Sequence, residues 1–329
     1  MSLESEMKRI AMLVDSKMKE SLTGEPELLY SASSHLIQAG GKRLRPLILM
    51  KFYSLYRDDE VSVLPLAAAL ELVHNFTLIH DDIMDNDDMR RGVPTTHRKY
   101  GVPMAILAGD VLFAKVFSLV SETPALQGDA RRMKEAVRVV AESLVTICEG
   151  QALDLNPPSL SDFTEEFYFG MIKKKTSALF EASALLGCIA AGSPSSHLDL
   201  AERFARHLGL AFQIVDDVLG VVGEPEVTGK PVGGDIRQGK RTLPIVMAFR
   251  KADRREQELL LSVWGVRDAP EKKVKEAVDF IRSSGVEEAA RSLASQHLSE
   301  ALKALEGLPQ SSANETLKEL ANFLTVRRM

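Results

Sequence analysis

Apolar residues recur at helical spacing along almost the whole chain, and no segment alternates as a half-buried strand does. Glycine and proline separate the helical segments. Residues 220–240 contain six glycines and two prolines and therefore predict a loop. The sequence predicts an all-α fold, a single large helical bundle formed by one domain over residues 1–329. The predicted helices span 5–22, 28–39, 44–56, 63–86, 101–122, 129–153, 161–191, 196–220, 241–252, 254–264, 269–283, 286–306 and 311–326.

The composition excludes several classes of protein. With 45% hydrophobic and 6% aromatic residues and a mean hydropathy of -0.05, the chain is typical of soluble globular proteins. A net charge of -5 argues against nucleic-acid binding. Two cysteines without a CxxC pair indicate neither a disulfide framework nor a zinc site, which fits a reducing, cytoplasmic location. The charged N-terminus has no apolar signal-peptide core, and no segment predicts a membrane span.

The first candidate site is the acidic stretch from Ile79 to Gly92. It follows a long helical pattern, so Asp81 and Asp85 should lie one turn apart on one face, with Asp82 beside them. Carboxylates held in this way repel one another unless a hard cation such as Mg²⁺ lies between them. The alternative is a solvated helix end, as is common for acidic segments.

Two arginines strengthen the functional interpretation. Arg90 and Arg91 follow the acids within one or two turns, and guanidinium groups offer planar, bidentate donors to phosphate oxygens. An acidic face followed by paired arginines therefore predicts a diphosphate site.

A second pair of carboxylates, Asp216 and Asp217, ends another long apolar pattern after Gln213. In helical bundles, acidic side chains from different helices converge on shared metal ions. Without the first acidic stretch, the preferred interpretation of the pair would be a helix end that caps the following loop.

Three basic segments complete the set of motifs. The first is the loop Gly40–Pro46, with Lys42 and Arg45, and the second is Lys173–Thr176 inside a helical pattern. The third, Gly229–Pro244, nearly matches a P-loop, but Arg241 replaces the required Ser or Thr and no strand precedes it. Alone, each segment fits an ordinary solvated surface.

In combination, these motifs resemble the trans-isoprenyl diphosphate synthases. The sequences GGKRLRP, DDIMD with RRG, KKKT, FQIVDD and GKPVGGDIRQGKRTLP occur in that order between Gly40 and Pro244. The resemblance implies the all-helical isoprenoid synthase fold with a central active-site cavity, and a homodimer. It implies a prenyltransferase that condenses isopentenyl diphosphate with dimethylallyl, geranyl or farnesyl diphosphate.

The resemblance also assigns roles to single residues. It implies that three Mg²⁺ ions, for which Mn²⁺ substitutes, are held by Asp81, Asp85 and Asp216, with Asp82 and Asp217 in support. The residues implied to bind the allylic diphosphate are Arg90, Lys175, Thr176, Gln213, Lys230 and Lys240. Those implied to bind isopentenyl diphosphate are Lys42, Arg45, His74 and Arg91. The second acidic motif departs from the family pattern because its last position is Gly220, which cannot ligate a metal.

The resemblance further implies a product length. Phe76 and Thr77 lie five and four residues before Asp81, about 6 to 7.5 Å below the metal-binding end of the helix. This combination resembles archaeal geranylgeranyl diphosphate synthases, so the expected main product has 20 carbons, with a 15-carbon farnesyl product as the alternative. From the residues alone, an ordinary core position is the preferred interpretation of Phe76.

Two other functions stay open at this point. A terpene cyclase of the same fold also ionises a prenyl diphosphate at an aspartate-rich helix, but it needs no second diphosphate site. A non-catalytic partner subunit would be expected to lose acidic or basic motif residues, yet Asp81, Asp216 and Lys175 are all present.

Overall fold

The computed structural model describes residues 2–223 and 233–325, which are almost entirely helical. The first helices are α1 (Leu3–Ser21), α2 (Glu27–Gln38), α3 (Leu44–Ser54), α4 (Leu64–Met84), α5 (Thr96–Tyr100), α6 (Val102–Ser121) and α7 (Ala130–Leu155). They are followed by α8 (Glu165–Ile172), a π-helical turn (Lys173–Ser177), α9 (Ala178–Ala191) and α10 (Ser195–Val222). The last are α11 (Gly234–Arg237), α12 (Leu243–Lys251), α13 (Arg254–Val263), α14 (Glu271–Ser283), α15 (Val286–Glu306) and α16 (Ser312–Thr325). The all-α prediction is confirmed.

Local chemistry fixes several helix ends. The Thr164 hydroxyl accepts a hydrogen bond from the Phe167 N–H at 3.0 Å and caps α8. Asp253 and Glu256 form a reciprocal capping box at the start of α13. These side chains satisfy backbone donors that a helix leaves without an internal partner.

The chain divides into two compact units. Unit 1 comprises Met1–Leu144, Leu179–Glu202 and Leu305–Glu319, and unit 2 comprises Val145–Ala178, Arg203–Ala304 and Leu320–Met329. Each unit is assembled from several separate segments of the sequence. The single domain over 1–329 stays a prediction.

In unit 1, α4 lies at the centre of the core. Its residues Leu66, Leu70 and Val73 are completely buried, and α6, α1 and α3 pack around it. Gly187 of α9 allows α3 to approach closely, since a Cβ atom there would lie 2.8 Å from Cβ of Phe52. The approach brings the start of α9 to the start of α3, where Phe180 lies under a basic side chain described below.

In unit 2, the core is formed mainly by α8, α10, α12, α14 and the start of α15. Tyr168, Ile214 and Val218 belong to its fully buried part. Gly209 of α10 lies against Ser177, so that a Cβ atom at position 209 would be 2.8 Å from Cα of Ser177. This contact places α10, which carries the second acidic pair, beside the π-helical turn that carries the lysines.

A small hairpin differs from the sequence-based expectation. Met89–Arg90 and Val93–Pro94 pair as antiparallel strands, with Arg90 opposite Val93. The turn residues Arg91 and Gly92 both have positive φ angles, 52° and 76°, as a tight hairpin turn requires. Two-residue strands are too short to show an alternating pattern, which is why the sequence did not indicate them.

Within the described residues 2–223 and 233–325, two helical segments are long and apolar enough to cross a membrane by length and composition, Glu60–Met84 and Val102–Ser121. The most apolar window of the first is 67% buried within the protein, as in the core helix of a folded domain. The corresponding window of Val102–Ser121 is 39% buried, so this helix keeps an exposed apolar side.

Candidate active site

The aspartates of the first acidic motif lie at the C-terminal end of α4, with Asp81 and Asp82 in its last turn and Asp85 directly after it, and they do not share one environment. The side chain of Asp82 is completely buried, whereas that of Asp81 is 20% exposed and that of Asp85 is partly exposed. The Asp85 N–H donates to the Asp81 carbonyl at 2.8 Å, so the two lie one turn apart, as predicted. Asp81 and Asp85 are therefore placed to face a ligand, and Asp82 is placed to support the structure.

Arg90 connects the hairpin to these acids. Its Nε atom donates to Oδ1 of Asp82 at 2.5 Å, and its Nη2 atom lies 4.0 Å from Oδ2 of Asp81 and 3.7 Å from Oδ2 of Asp87. Burial raises the pKa of Asp82 to about 6, an effect that the Arg90 guanidinium opposes. Oδ2 of Asp82 is buried without a hydrogen-bond partner. The arginine thus holds the hairpin against the acidic end of α4.

Four arginines lie near enough to His74 of α4 to act on its charge. Burial lowers the pKa of His74 well below its usual range, and Arg45, Arg91, Arg90 and Arg43 add to the effect. The histidine is therefore neutral at pH 7. Three residues of the predicted isopentenyl diphosphate set, Arg45, His74 and Arg91, are brought together here, while Lys42 lies exposed on the adjoining loop.

Arg43 has a structural role that the sequence analysis missed. It adopts a left-handed backbone conformation with φ of 49° and is 2% exposed. Its guanidinium donates to Asp15 at 2.7 Å, to Glu71 at 2.9 Å and to the Ile37 carbonyl at 2.9 Å. The loop sequence places Arg43 beside Lys42 and does not distinguish a ligand from a buried anchor.

Among the described residues, Arg45 and Arg91, unlike Arg43, form no hydrogen bond to a carboxylate. The Arg45 guanidinium lies 4.8 Å from the centroid of the Phe180 ring, and its Nε atom is buried without a hydrogen-bond partner. Burial lowers the pKa of Arg45 to about 10, against the opposing effect of Glu71. Arg91 donates to the carbonyl groups of Leu36 and Gly40, which are neutral acceptors. Arg45 and Arg91 therefore lie in this cluster without a hydrogen-bonded carboxylate from the described part of the chain, an arrangement that suits an anionic ligand.

In unit 2, a chain of hydrogen bonds organises the second acidic motif. The Tyr168 hydroxyl donates to Oδ2 of Asp217 at 2.7 Å, and the Gln213 amide donates to Oδ1 at 2.7 Å. The Thr176 hydroxyl donates in turn to the Gln213 amide oxygen at 2.8 Å. Burial raises the pKa of Asp217 to about 7, whereas Asp216 is exposed. Asp216 is thus the accessible carboxylate, and Asp217 is held within the protein.

The lysines occupy the π-helical turn, a feature often found at functional sites. Lys175 donates to Oδ2 of Asp154 at 2.6 Å, and Gly150 of α7 lies against the Lys175 backbone. Lys174 instead forms a surface ion pair with Glu149. The two neighbouring lysines therefore have different partners, Lys174 at the surface and Lys175 at Asp154.

A carboxylate from another segment lies beside Gly220, the last position of the second acidic motif. A Cβ atom at Gly220 would overlap the carboxylate of Asp235, whose side chain is buried at the start of α11. Asp235 also raises the pKa of Asp217, so the two carboxylates are near each other. Asp235 lies 15 residues beyond Gly220 in the sequence, so the motif itself did not indicate this contact.

Two predicted ligands lie in or after the glycine-rich loop. Lys230 lies outside the described residues. Lys240 is partly buried, and its N–H donates to the Asp235 carbonyl at 3.0 Å.

The carboxylates fit a hard divalent cation that is held together with a phosphate ligand. Within residues 2–223 and 233–325, no three His, Cys, Asp or Glu side chains form a metal-binding group by themselves. Mg²⁺ in phosphoryl sites usually takes one or two carboxylates and completes its shell with substrate phosphates and water. Asp81 and Asp85 offer such carboxylates at the end of α4 in unit 1, and Asp216 of α10 offers one in unit 2.

Phe76 and Thr77 lie one turn below the acids on α4. The Phe76 ring contacts the His80 ring at 4.8 Å and the Phe113 ring of α6 at 5.6 Å, and Phe117 continues the aromatic series. The Thr77 hydroxyl donates to the His74 carbonyl at 2.8 Å. An aromatic face of α6 therefore adjoins the position predicted to limit product length.

Comparison with known proteins points in one direction. The polyprenyl synthetase family model matches residues 26–281. The chain is 44% identical to a short chain isoprenyl diphosphate synthase of Methanothermobacter thermautotrophicus, over 98% of this chain and 97% of the relative. It is 41% identical to a geranylfarnesyl diphosphate synthase of Aeropyrum pernix, over 95% and 97%. The crystal structure of a geranylgeranyl pyrophosphate synthetase from Pyrococcus horikoshii superposes with a TM-score of 0.91 at 38% identity and covers 99% of both chains.

The charge balance of the guanidinium cluster generates a prediction. Glu71 is 2% exposed, binds Arg43 and opposes the lowering of the pKa of Arg45 and Arg91. Glu71→Gln keeps the shape but removes the charge, so we expect the free energy of unfolding, measured with urea, to fall by about 3 kcal/mol. Glu122→Gln, at an exposed helix end, is the control and should change it by less than about 0.5 kcal/mol. Equal effects of both substitutions would show that Glu71 does not compensate the arginines.

Proposed function

The chain belongs to the polyprenyl synthetase family, and we propose that it is a geranylgeranyl diphosphate synthase. As a trans-prenyltransferase it acts on isoprenyl diphosphates, the substrates of this family. The proposed reaction joins isopentenyl diphosphate to dimethylallyl, geranyl or farnesyl diphosphate and stops mainly at 20 carbons. Farnesyl diphosphate is the alternative main product.

The observation that carries this proposal is the guanidinium cluster around His74. Arg45 and Arg91 are held there without a carboxylate of their own, next to a histidine that stays neutral. The cluster offers a diphosphate-binding site in addition to the acidic motifs, and a second diphosphate site is what distinguishes a synthase from a terpene cyclase. The motif residues Asp81, Asp216 and Lys175 argue against a non-catalytic partner subunit.

The residues of the chain divide the work between two diphosphates. We assign Lys42, Arg45, His74 and Arg91 to isopentenyl diphosphate. The residues assigned to the allylic diphosphate are Arg90, Lys175, Thr176, Gln213, Lys230 and Lys240, of which Lys230 lies outside the described residues. Lysine and arginine donors aimed at the leaving group stabilise the charge that develops as its C–O bond breaks.

Asp81, Asp85 and Asp216 are the proposed metal ligands, and Asp82 and Asp217 hold the two helix ends in place. Polyprenyl synthetases generally use Mg²⁺, which neutralises the charge of the departing diphosphate. We propose three ions. The C–O bond of the allylic substrate breaks, and its electron pair leaves with the diphosphate. The double bond of isopentenyl diphosphate attacks the allylic cation, and the departed diphosphate accepts the proton that is then lost, which gives a product five carbons longer. No nucleophile from the protein is needed, and the growing tail is kept from water between helices.

We also propose a cytoplasmic homodimer. Val102, Ile106 and Phe113 lie on α6 with exposures of 44%, 43% and 38%, at spacings that share one helix face. An apolar face of this kind on a water-soluble protein is typical of an interface.

Metal dependence tests the assigned carboxylates. Asp81→Ala and Asp216→Ala should each lower kcat by about a thousandfold, because losing a ligand removes several kcal/mol of transition-state stabilisation. Asp88→Ala is the matched control, since Asp88 belongs to the same acidic stretch but forms an exposed ion pair with Arg98. Its kcat should stay near wild type. Steady-state turnover with Mg²⁺, and with excess chelator, measures these effects. Full turnover in chelator would contradict the metal assignment.

The dimer generates a second prediction. The wild-type chain should sediment at about twice its 36.2 kDa mass, and Ile106→Glu should shift it toward the monomer because a charge would be buried at the interface. Met12→Glu, on the exposed side of α1, is the control and should leave the dimer intact. A wild-type protein that sediments as a monomer would refute the interface.

Product length tests the aromatic position on α4. Phe76→Ala opens space beside Phe113 and should extend the products beyond 20 carbons, whereas Thr77→Phe should shorten them toward 15. Each five-carbon step buries further methylene-sized groups, and each of these contributes about 0.8 kcal/mol. Adding or removing the volume of one aromatic ring is therefore enough to shift the main product. Mass analysis of the products from farnesyl and isopentenyl diphosphate reads the result. An unchanged distribution in both variants would place Phe76 in the ordinary core.

A further inference from the structure

The chain contains one tryptophan, Trp264, and it contacts two consecutive residues of the basic loop. Trp264 directly follows α13, and its indole N–H donates to the Lys240 carbonyl at 3.1 Å. The Arg241 guanidinium lies over the same ring, 4.6 Å from its centroid. The Trp264 side chain thus contacts the backbone of Lys240 and the guanidinium group of Arg241.

The backbone around Trp264 completes the attachment. The Gly265 N–H donates to the Ile236 carbonyl of α11 at 2.8 Å. Gly239 has a φ of 71°, and a Cβ atom there would lie 3.0 Å from Cα of Gly265, so the two turns are in close contact. Backbone and side-chain contacts therefore hold the end of the loop, from Gly239 to Arg241, against the turn at Trp264 and Gly265.

The electrostatic surroundings of Arg241 point to an anionic ligand. Its Nε atom is buried without a hydrogen-bond partner, and burial lowers its pKa while the Asp154 carboxylate opposes that effect. Asp154 also accepts the hydrogen bond from Lys175. Asp154 therefore binds Lys175 and also acts on the charge of Arg241, so that the two cations share one carboxylate beside a residue already assigned to the allylic diphosphate.

We propose that Trp264 is a positioning residue that holds Lys240 and Arg241 ready for the allylic diphosphate, and that Arg241 is a further ligand of that group. This inference rests on the proposed function. A loop that is fixed before binding loses less conformational freedom when the ligand arrives, which improves affinity without any new contact to the ligand. The planar guanidinium offers paired donors to phosphate oxygens.

Steady-state kinetics of Trp264 variants tests the positioning role. Trp264→Leu removes both the ring and the N–H and should raise KM for farnesyl diphosphate about tenfold, equivalent to about 1.4 kcal/mol. KM for isopentenyl diphosphate and kcat should change less than twofold. Trp264→Phe keeps a ring for Arg241 and should restore part of the affinity, with KM raised about threefold.

Leu261→Ala is the control, because Leu261 lies one turn earlier on α13 and is 49% exposed. It should leave both KM values unchanged. An equal rise in KM for both substrates in Trp264→Leu, or no rise for either, would show that Trp264 only supports the fold.

Binding of inorganic diphosphate with Mg²⁺ tests Arg241 without turnover. Trp264 is the only tryptophan of the chain, so its emission reports directly on the cation above it, and titration of the wild-type protein should change it. Arg241→Met should weaken binding at least about fivefold, as expected for the loss of a charge-assisted contact. Arg250→Met, at an exposed position on α12, is the matched control and should bind as the wild type does.

Different results would refute the ligand role of Arg241 and the proposed synthase function. Wild-type affinity for inorganic diphosphate in Arg241→Met would overturn the ligand role even if the enzyme makes prenyl diphosphates. Weaker binding in Arg241→Met and, by calorimetry, in Trp264→Leu would uphold the inference. If the wild-type chain then formed no prenyl product, the proposed function would be refuted instead.

Discussion

The buried ion pair between Glu71 and Arg43 is the interaction on which the first half of the site depends. Both side chains are almost fully buried, and Arg43 also ties Asp15 and the Ile37 carbonyl to the start of α3. Removing one member of such a pair leaves an uncompensated charge in a region of low dielectric constant. Arg43 therefore fixes the loop before α3, and this loop places Arg45 beside Phe180.

The same distribution of charge explains how the cluster can bind an anion. Glu71 acts on the charge of Arg45 and Arg91, but it accepts hydrogen bonds from Arg43 and Asn75. Arg45 instead stacks on a ring, and Arg91 binds neutral carbonyl groups. The protein thus buries cations whose remaining partner is expected to be a substrate. In unit 2 the carboxylates follow a similar division, because Tyr168 and Gln213 occupy both oxygens of Asp217 and leave Asp216 accessible.

Much of the fold could be predicted from the sequence because helical periodicity and Gly or Pro breaks are local signals. The predicted helix 44–56 corresponds to Leu44–Ser54, and 286–306 matches Val286–Glu306. Membership of the polyprenyl synthetase family is confirmed, and the ligand roles of single residues stay predictions. The π-helical turn was not predicted, since it depends on how Lys175 packs against Gly150 of another helix. Asp235 was missed for the same reason: the contact with Gly220 exists only in the folded chain.

A synthase consumes two diphosphates in one condensation, and the stoichiometry of the purified protein distinguishes it from an enzyme that uses only one. With farnesyl diphosphate, labelled isopentenyl diphosphate and Mg²⁺, one inorganic diphosphate should be released for each isopentenyl unit incorporated into product. Release of diphosphate without incorporation of isopentenyl units would identify a cyclase or a hydrolase and would contradict the account.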